Sequence, residues 1–137
     1  MAHLKARVAE YAIIINGKKF LMIQWGKEFD FGWHFPGGRI DVGEQEVECV
    51  VREVREEVGV EIEDLRPVYT KFLPAKYEQH MRSPRYTVFY LAKLKAGSEV
   101  TLKEKDFIGH KWFSKDDIAN IHFWLPFYKD MLEKVLP

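Results

Sequence analysis

A chain of 137 residues with 21 Lys and Arg against 21 Asp and Glu has room for one domain and carries no net charge. Balanced charge excludes a global field that would draw the chain onto nucleic acid or an anionic membrane, so an anionic ligand must be held by local cations. One cysteine excludes an internal disulfide framework and a cysteine-based zinc site. No signal-like start and no apolar run near the roughly 20 residues of a membrane span are present, so the expectation is a single domain over 1–137, soluble and cytoplasmic, with no membrane partner.

Two runs rich in Val, Ile, Tyr and Phe, Lys5 to Ile15 and Lys18 to Gln24, flank Asn16-Gly17 and predict a β-hairpin. Gly26 to Gly32 reads as a loop. Trp33-His34-Phe35 then runs into Pro36-Gly37-Gly38, where paired glycines let backbone approach a ligand closely.

A helix from Gln45 to Val58 follows, stopped by Gly59. At about 100° per residue, Val47, Val50, Val51, Val54 and Val58 gather on one side, while Cys49, Glu53, Glu56 and Glu57 gather roughly a third of a turn away. Cys49 reads as a small packing residue. Like charges three and four residues apart destabilise a helix by roughly 0.2–0.5 kcal/mol per pair unless a cation sits among them. Hard carboxylate oxygens suit Mg²⁺, Mn²⁺ or Ca²⁺, and Mg²⁺ characteristically adds substrate phosphate oxygens to one or two carboxylates.

Leu65 to Leu73 and Tyr86 to Lys95 are the next predicted strands, and the second is apolar on both faces, as a strand covered on both sides would be. Between them Pro74 to Arg85 is polar and basic, the kind of long loop that tends to carry function. Phe107 to Phe113 predicts a last strand, and Ser114 followed by Asp117 resembles a helix start. Leu125, Tyr128, Leu132 and Val135 recur at helical spacing, with Trp124 and Phe127 read as core. Periodicity alone supports an α/β domain.

The stretch from Gly38 to Val60 resembles the Nudix box, GX5EX7REUXEEXGU with U a bulky aliphatic residue. Gly38, Glu44, Arg52, Glu53, Glu56, Glu57 and Gly59 fill the fixed positions, and Val54 and Val60 fill the aliphatic ones. The resemblance implies an α/β/α sandwich with a mixed β-sheet between helices. It further implies a MutT-like pyrophosphohydrolase that cleaves a nucleoside diphosphate linked to another group, with Mg²⁺ as cofactor and Mn²⁺ as an alternative. The favoured substrate is a nucleoside or deoxynucleoside triphosphate, oxidised forms included, giving the monophosphate and pyrophosphate. Hydrolysis of ADP-ribose, a nucleotide sugar or a dinucleoside polyphosphate is one alternative, and a non-catalytic nucleotide-sensing module is another.

By the same resemblance Glu53, Glu56 and Glu57 ligate the metal, Glu44 joins the metal site directly or through water, a carbonyl near Gly37-Gly38 contributes to it, and Arg52 orients a glutamate. The base stays open among these glutamates and two acidic residues before the last strand, Glu104 and Asp106. Substrate contacts are expected from Arg39, Lys71, Tyr77, Arg82 and Arg85, with Lys76 and His80 as further cations and Phe29, Phe31 and Phe72 as stacking candidates. The partner is a small nucleotide, no RNA-binding motif is present, and the chain is a monomer or homodimer.

Overall fold

A computed structural model describes residues 6–74 and 84–137. The elements in order are β1 (Arg7–Asn16), β2 (Lys19–Trp25), β3 (Trp33–His34), β4 (Gly37–Arg39), α1 (Glu46–Val58), β5 (Ile62–Leu73), β6 (Arg85–Leu94), β7 (Phe107–Phe113) and α2 (Tyr128–Val135). The strands form one seven-stranded sheet. It is mixed because β1 runs parallel to β6 from Arg7↔Arg85 to Ile15↔Lys93, while the other pairs are antiparallel.

Strand β1 pairs with β4 near its start, Ala9↔Arg39 to Tyr11↔Gly37, and with β2 at its end, Ile15↔Phe20 and Asn16↔Lys19. Between these contacts Ala12 N–H donates to Pro36 O at 2.9 Å. The segment carrying β3 and β4 is therefore wedged where β1 and β2 part, and this brings the glycine turn against the middle of the sheet. The hairpin reversal is Gly17-Lys18 rather than Asn16-Gly17, with Gly17 at φ +64°.

Alternation along β1 sends Ala9, Tyr11 and Ile13 into one core and Ala12 and Ile14 into another. The first core is closed by α2 through Tyr128, Met131 and Leu132; the second is closed by α1 through Val50, Val54 and Val58. This is the α/β/α sandwich the sequence led us to expect. Fully burying each valine contributes about 1.5–3 kcal/mol, several times the repulsion of a like-charged pair on the outer face, so α1 holds its shape despite its glutamates.

Several expectations are corrected. Val47 is 41% exposed and takes no part in the core that Val50, Val54 and Val58 enter. Ser114 opens a short 3-10 stretch, Lys115–Asn120, in which Asp117 completes the capping box with a 2.8 Å bond from Ser114 N–H. The C-terminal helix begins at Tyr128, so Leu125 is buried ahead of it. Strand β5 starts earlier than the sequence suggests, at Ile62, and bulges twice before Tyr69.

Candidate active site

The pairing Glu10↔Gly38 lays the glycine turn across the face of α1. At Gly37, φ is +150° and a Cβ would stand 2.1 Å from Glu10 O, so no other residue fits the turn as built. At Gly38 a Cβ would stand 2.6 Å from Glu53 Cδ. The missing side chains let two carboxylates of the helix lie directly on the turn. Gly37 N–H donates to Glu57 Oε1 at 2.8 Å, and Gly38 O accepts from Cys49 Sγ at 3.6 Å. Cys49 is fully buried, and burial pushes its thiol up to about 12, so it packs and does not ionise.

Arg52 gathers the carboxylates. It grips Glu44 with Nε at 2.6 Å and Nη2 at 2.9 Å, while Nη1 donates to Glu53 at 2.9 Å and Glu56 at 3.1 Å. Its Nη2 also lies 3.3 Å from Asp41 Oδ2 and donates to Arg39 O at 3.3 Å. A planar fork with five donors can serve this many oxygens where a lysine could not. Arg52 holds Glu44 below the usual carboxylate range, and the Asp41 N–H that donates to Glu44 Oε1 at 2.7 Å adds to this.

The inner carboxylates behave oppositely. Burial pushes Glu57 up to about 9 against the opposing bond from Gly37, and Glu53, Glu104 and Glu56 push the same way. Burial raises Glu53 as well, although Arg52 draws it down. Beneath the turn, burial also raises Glu10, which accepts from Tyr90 Oη at 2.7 Å.

Among the described residues no group of three His, Cys, Asp or Glu side chains is arranged to hold a metal ion, since Arg52 stands among the carboxylates of α1. In chemistry the donors fit a hard dication: they are carboxylate oxygens, partly buried, raised by desolvation and by one another, and a cation relieves both effects.

A cleft of about 350 Å³ is lined by Glu53 and Glu57 together with Tyr11, Trp25, His34, Phe107 and Trp124 and the side chains of Arg39 and Arg85. A larger recess of about 450 Å³, around Gly17, Phe20 and Leu136, has no part in the glutamate cluster. In the cleft His34 is stacked on Trp25 with ring centres 5.6 Å apart and is met edge-on by Tyr11 and Trp124. Its Nδ1 is 2.6 Å from Tyr128 Oη. Burial, helped by the charge of Arg85, lowers His34 to about 3, so the ring is neutral.

The structure thus brings together Gly38, Arg39, Glu44, Arg52, Glu53, Glu56, Glu57 and Arg85, with Glu104 close enough to act on the charge of Glu57. Asp106 is placed by its backbone, whose carbonyl accepts from Gly26 N–H at 3.2 Å. Lys71 does not line the cleft; its Nζ lies 5.7 Å over the Phe127 ring. Lys76, Tyr77, His80 and Arg82 fall outside the described residues. Of the stacking candidates, Phe31 and Phe72 are exposed and Phe29 packs behind Trp25, whereas Trp124, read as core, lines the cleft. Tyr11, Trp25, His34 and Trp124 went unrecognised as a site; the only local hint was the WxxPGG run that contains His34.

The NUDIX domain model matches residues 5–135. The chain belongs to the Nudix hydrolase family. An RNA pyrophosphohydrolase of a Nitratiruptor species is 28% identical over 111 residues, covering 74% of this chain and 72% of that protein. A MutT NUDIX hydrolase from Burkholderia pseudomallei superposes with a TM-score of 0.77 at 24% identity, covering 96% of this chain and 98% of that one. An ADP-ribose pyrophosphatase from Streptococcus suis superposes at 0.67 with 26% identity, covering 96% and 90%. Nudix hydrolases are generally dependent on divalent metal. Among the described residues no helix of this Nudix hydrolase is long and apolar enough to cross a membrane.

Proposed function

We propose that this Nudix hydrolase cleaves a nucleoside or deoxynucleoside triphosphate to the monophosphate and pyrophosphate, with Mg²⁺ as its metal. The observation that carries the reading is a single cleft whose lining combines carboxylates, aromatic rings and two guanidinium groups. Such a cleft suits a ligand with an aromatic body and a polyphosphate tail.

Glu53, Glu56 and Glu57, with the Gly38 carbonyl, would hold the metal. When bound, it supplies charge to the phosphate oxygens and makes a coordinated water more acidic. Glu57 is oriented by Gly37 N–H, and Glu53 and Glu56 are oriented by Arg52. Glu44, whose two oxygens both face Arg52, fixes that arginine in turn. Arg39 and Arg85 bind the phosphate chain. Water attacks the α- or β-phosphorus, the P–O bond to the oxygen bridging them breaks so that monophosphate and pyrophosphate separate, and the water proton passes to a carboxylate of the cluster, with Glu104 as the outlying candidate.

Kinship with an RNA pyrophosphohydrolase favours a second substrate with the same chemistry, a triphosphate at an RNA 5′ end. The neutral overall charge gives such a polymer no general attraction. The test measures phosphate released through coupled pyrophosphatase from nucleoside triphosphates and 5′-triphosphorylated RNA, and through coupled phosphatase from ADP-ribose, nucleotide sugars and dinucleoside polyphosphates, with Mg²⁺ or EDTA. Mg²⁺-dependent pyrophosphate release from free triphosphates is the expected result. Turnover confined to RNA or ADP-ribose would replace the reading.

A further inference from the structure

Apart from its glutamates, the cleft is lined by side chains that mostly offer a ligand hydrogen-bond donors. Trp25, Trp124 and Arg85 can only donate hydrogen bonds. Tyr11 accepts from Arg85 Nη1 at 3.1 Å, which leaves its own proton to give, and no acceptor for it is present among the described residues. Trp25 Nε1 and Arg85 Nε are buried and have no partner there either. His34 completes the wall. It is only 4% exposed and clamped by the rings around it, and its Nδ1 is taken by the Tyr128 hydroxyl, so Nε2 is the nitrogen left for a ligand.

We propose that His34 is a specificity-determining residue that donates through Nε2–H to a carbonyl on the edge of the bound ring, so that the site prefers bases with an oxo edge, such as hypoxanthine, guanine, uracil or thymine, over the amino edges of adenine and cytosine. This rests on the reading of the cleft as the substrate site. A neutral imidazole carries one proton, and the 2.6 Å contact of Nδ1 with Tyr128 Oη serves either tautomer; within this proposal the hydroxyl is the donor to Nδ1, which places the ring proton on Nε2. The tautomer that faces the ligand is then set by a residue on α2 that does not line the cleft. With His34 as a donor beside the donor-only indole of Trp124, the base edge is met by donors, and an amino group there would leave the His34 proton unpaired at a cost. The flat aromatic surroundings suit the base itself, since stacking accepts any ring and leaves discrimination to the edge.

The test uses the full chain with Mg²⁺ and two carbonyl–amino pairs, inosine against adenosine and uridine against cytidine 5′-triphosphates, followed as kcat/KM. Binding of the matching non-hydrolysable imido analogues is read separately by quenching of tryptophan fluorescence. The carbonyl member of each pair is expected to lead by about tenfold or more in both measures. His34→Phe keeps a flat ring and removes the directed proton, and it should narrow the lead to within about threefold. Tyr128→Phe releases the tautomer and should narrow it in part, and it answers the question if His34→Phe does not fold. Equal treatment of both members by the wild type, or a lead that survives both variants, overturns the proposal. Selective binding of the carbonyl nucleotides without hydrolysis upholds it and removes the triphosphatase reading. Hydrolysis of all four without preference does the reverse, and neither binding nor hydrolysis removes both.

Discussion

Gly37 N–H donates to Glu57 Oε1 at 2.8 Å, joining the turn before the helix to the helix's most buried carboxylate. Glutamine can accept the same bond. Glu57→Gln should therefore keep the fold, with a melting temperature equal to or above wild type once a buried acid is gone, while turnover falls by about 100-fold or more. Thermal melting and kcat on one preparation check this, and near-normal turnover would remove Glu57 from the metal site.

The raised Glu57 also gives the stability a pH dependence. A carboxyl whose folded pKa is about 9, against an ordinary 4.5, contributes fully below the unfolded value and loses that contribution as pH rises through the folded one. Glu53 and Glu10 are raised by burial and act in the same direction. In EDTA the melting temperature should fall between pH 5 and pH 9, about the window between those two values. Mg²⁺ should shrink the fall, and Glu57→Gln should shrink it too, leaving the part due to Glu53 and Glu10. A flat wild-type profile in EDTA would contradict the burial of this acid.

Arg52→Lys preserves charge but cannot serve Glu44, Glu53 and Glu56 together. Partners that orient metal ligands typically cost 10–100-fold when replaced, so a loss of about that size in Mg²⁺ affinity and kcat/KM is expected. Metal titration of the variant by calorimetry separates this from a folding defect.

Gly38→Ala places a methyl 2.6 Å from Glu53 Cδ, and the carboxylate has to move. Overpacking of this kind costs about 1–3 kcal/mol. The expected sign is a lower melting temperature with weakened metal-dependent activity; unchanged activity would show that Glu53 has room to retreat.

Asp117→Ala removes the acceptor of Ser114 N–H at the opening of the 3-10 stretch, far along the chain from the box. A lost cap costs about 1 kcal/mol, or about 2–5 °C in melting temperature for a chain this size, and kcat/KM should be unchanged.

The glutamate face of α1 was legible in the sequence because it depends only on helical period: residues 53, 56 and 57 share a side whatever the helix packs on. The ending of α1 at Gly59 and the alternation of β1 and β6 are local for the same reason. Val47 shows where local reasoning stops, since period names a face but not which of its residues the tertiary structure covers. The cleft lay beyond it altogether. Tyr11, Trp25, His34 and Trp124 come from β1, β2, β3 and the approach to α2, and each is locally indistinguishable from core. Only the parting of β1 from β2, which admits β3 and β4 between them, turns those rings toward Glu53 and Glu57. The carboxylate cluster was written in one helix, and the aromatic lining of the cleft was decided by contacts between residues up to about a hundred positions apart, which no local period encodes.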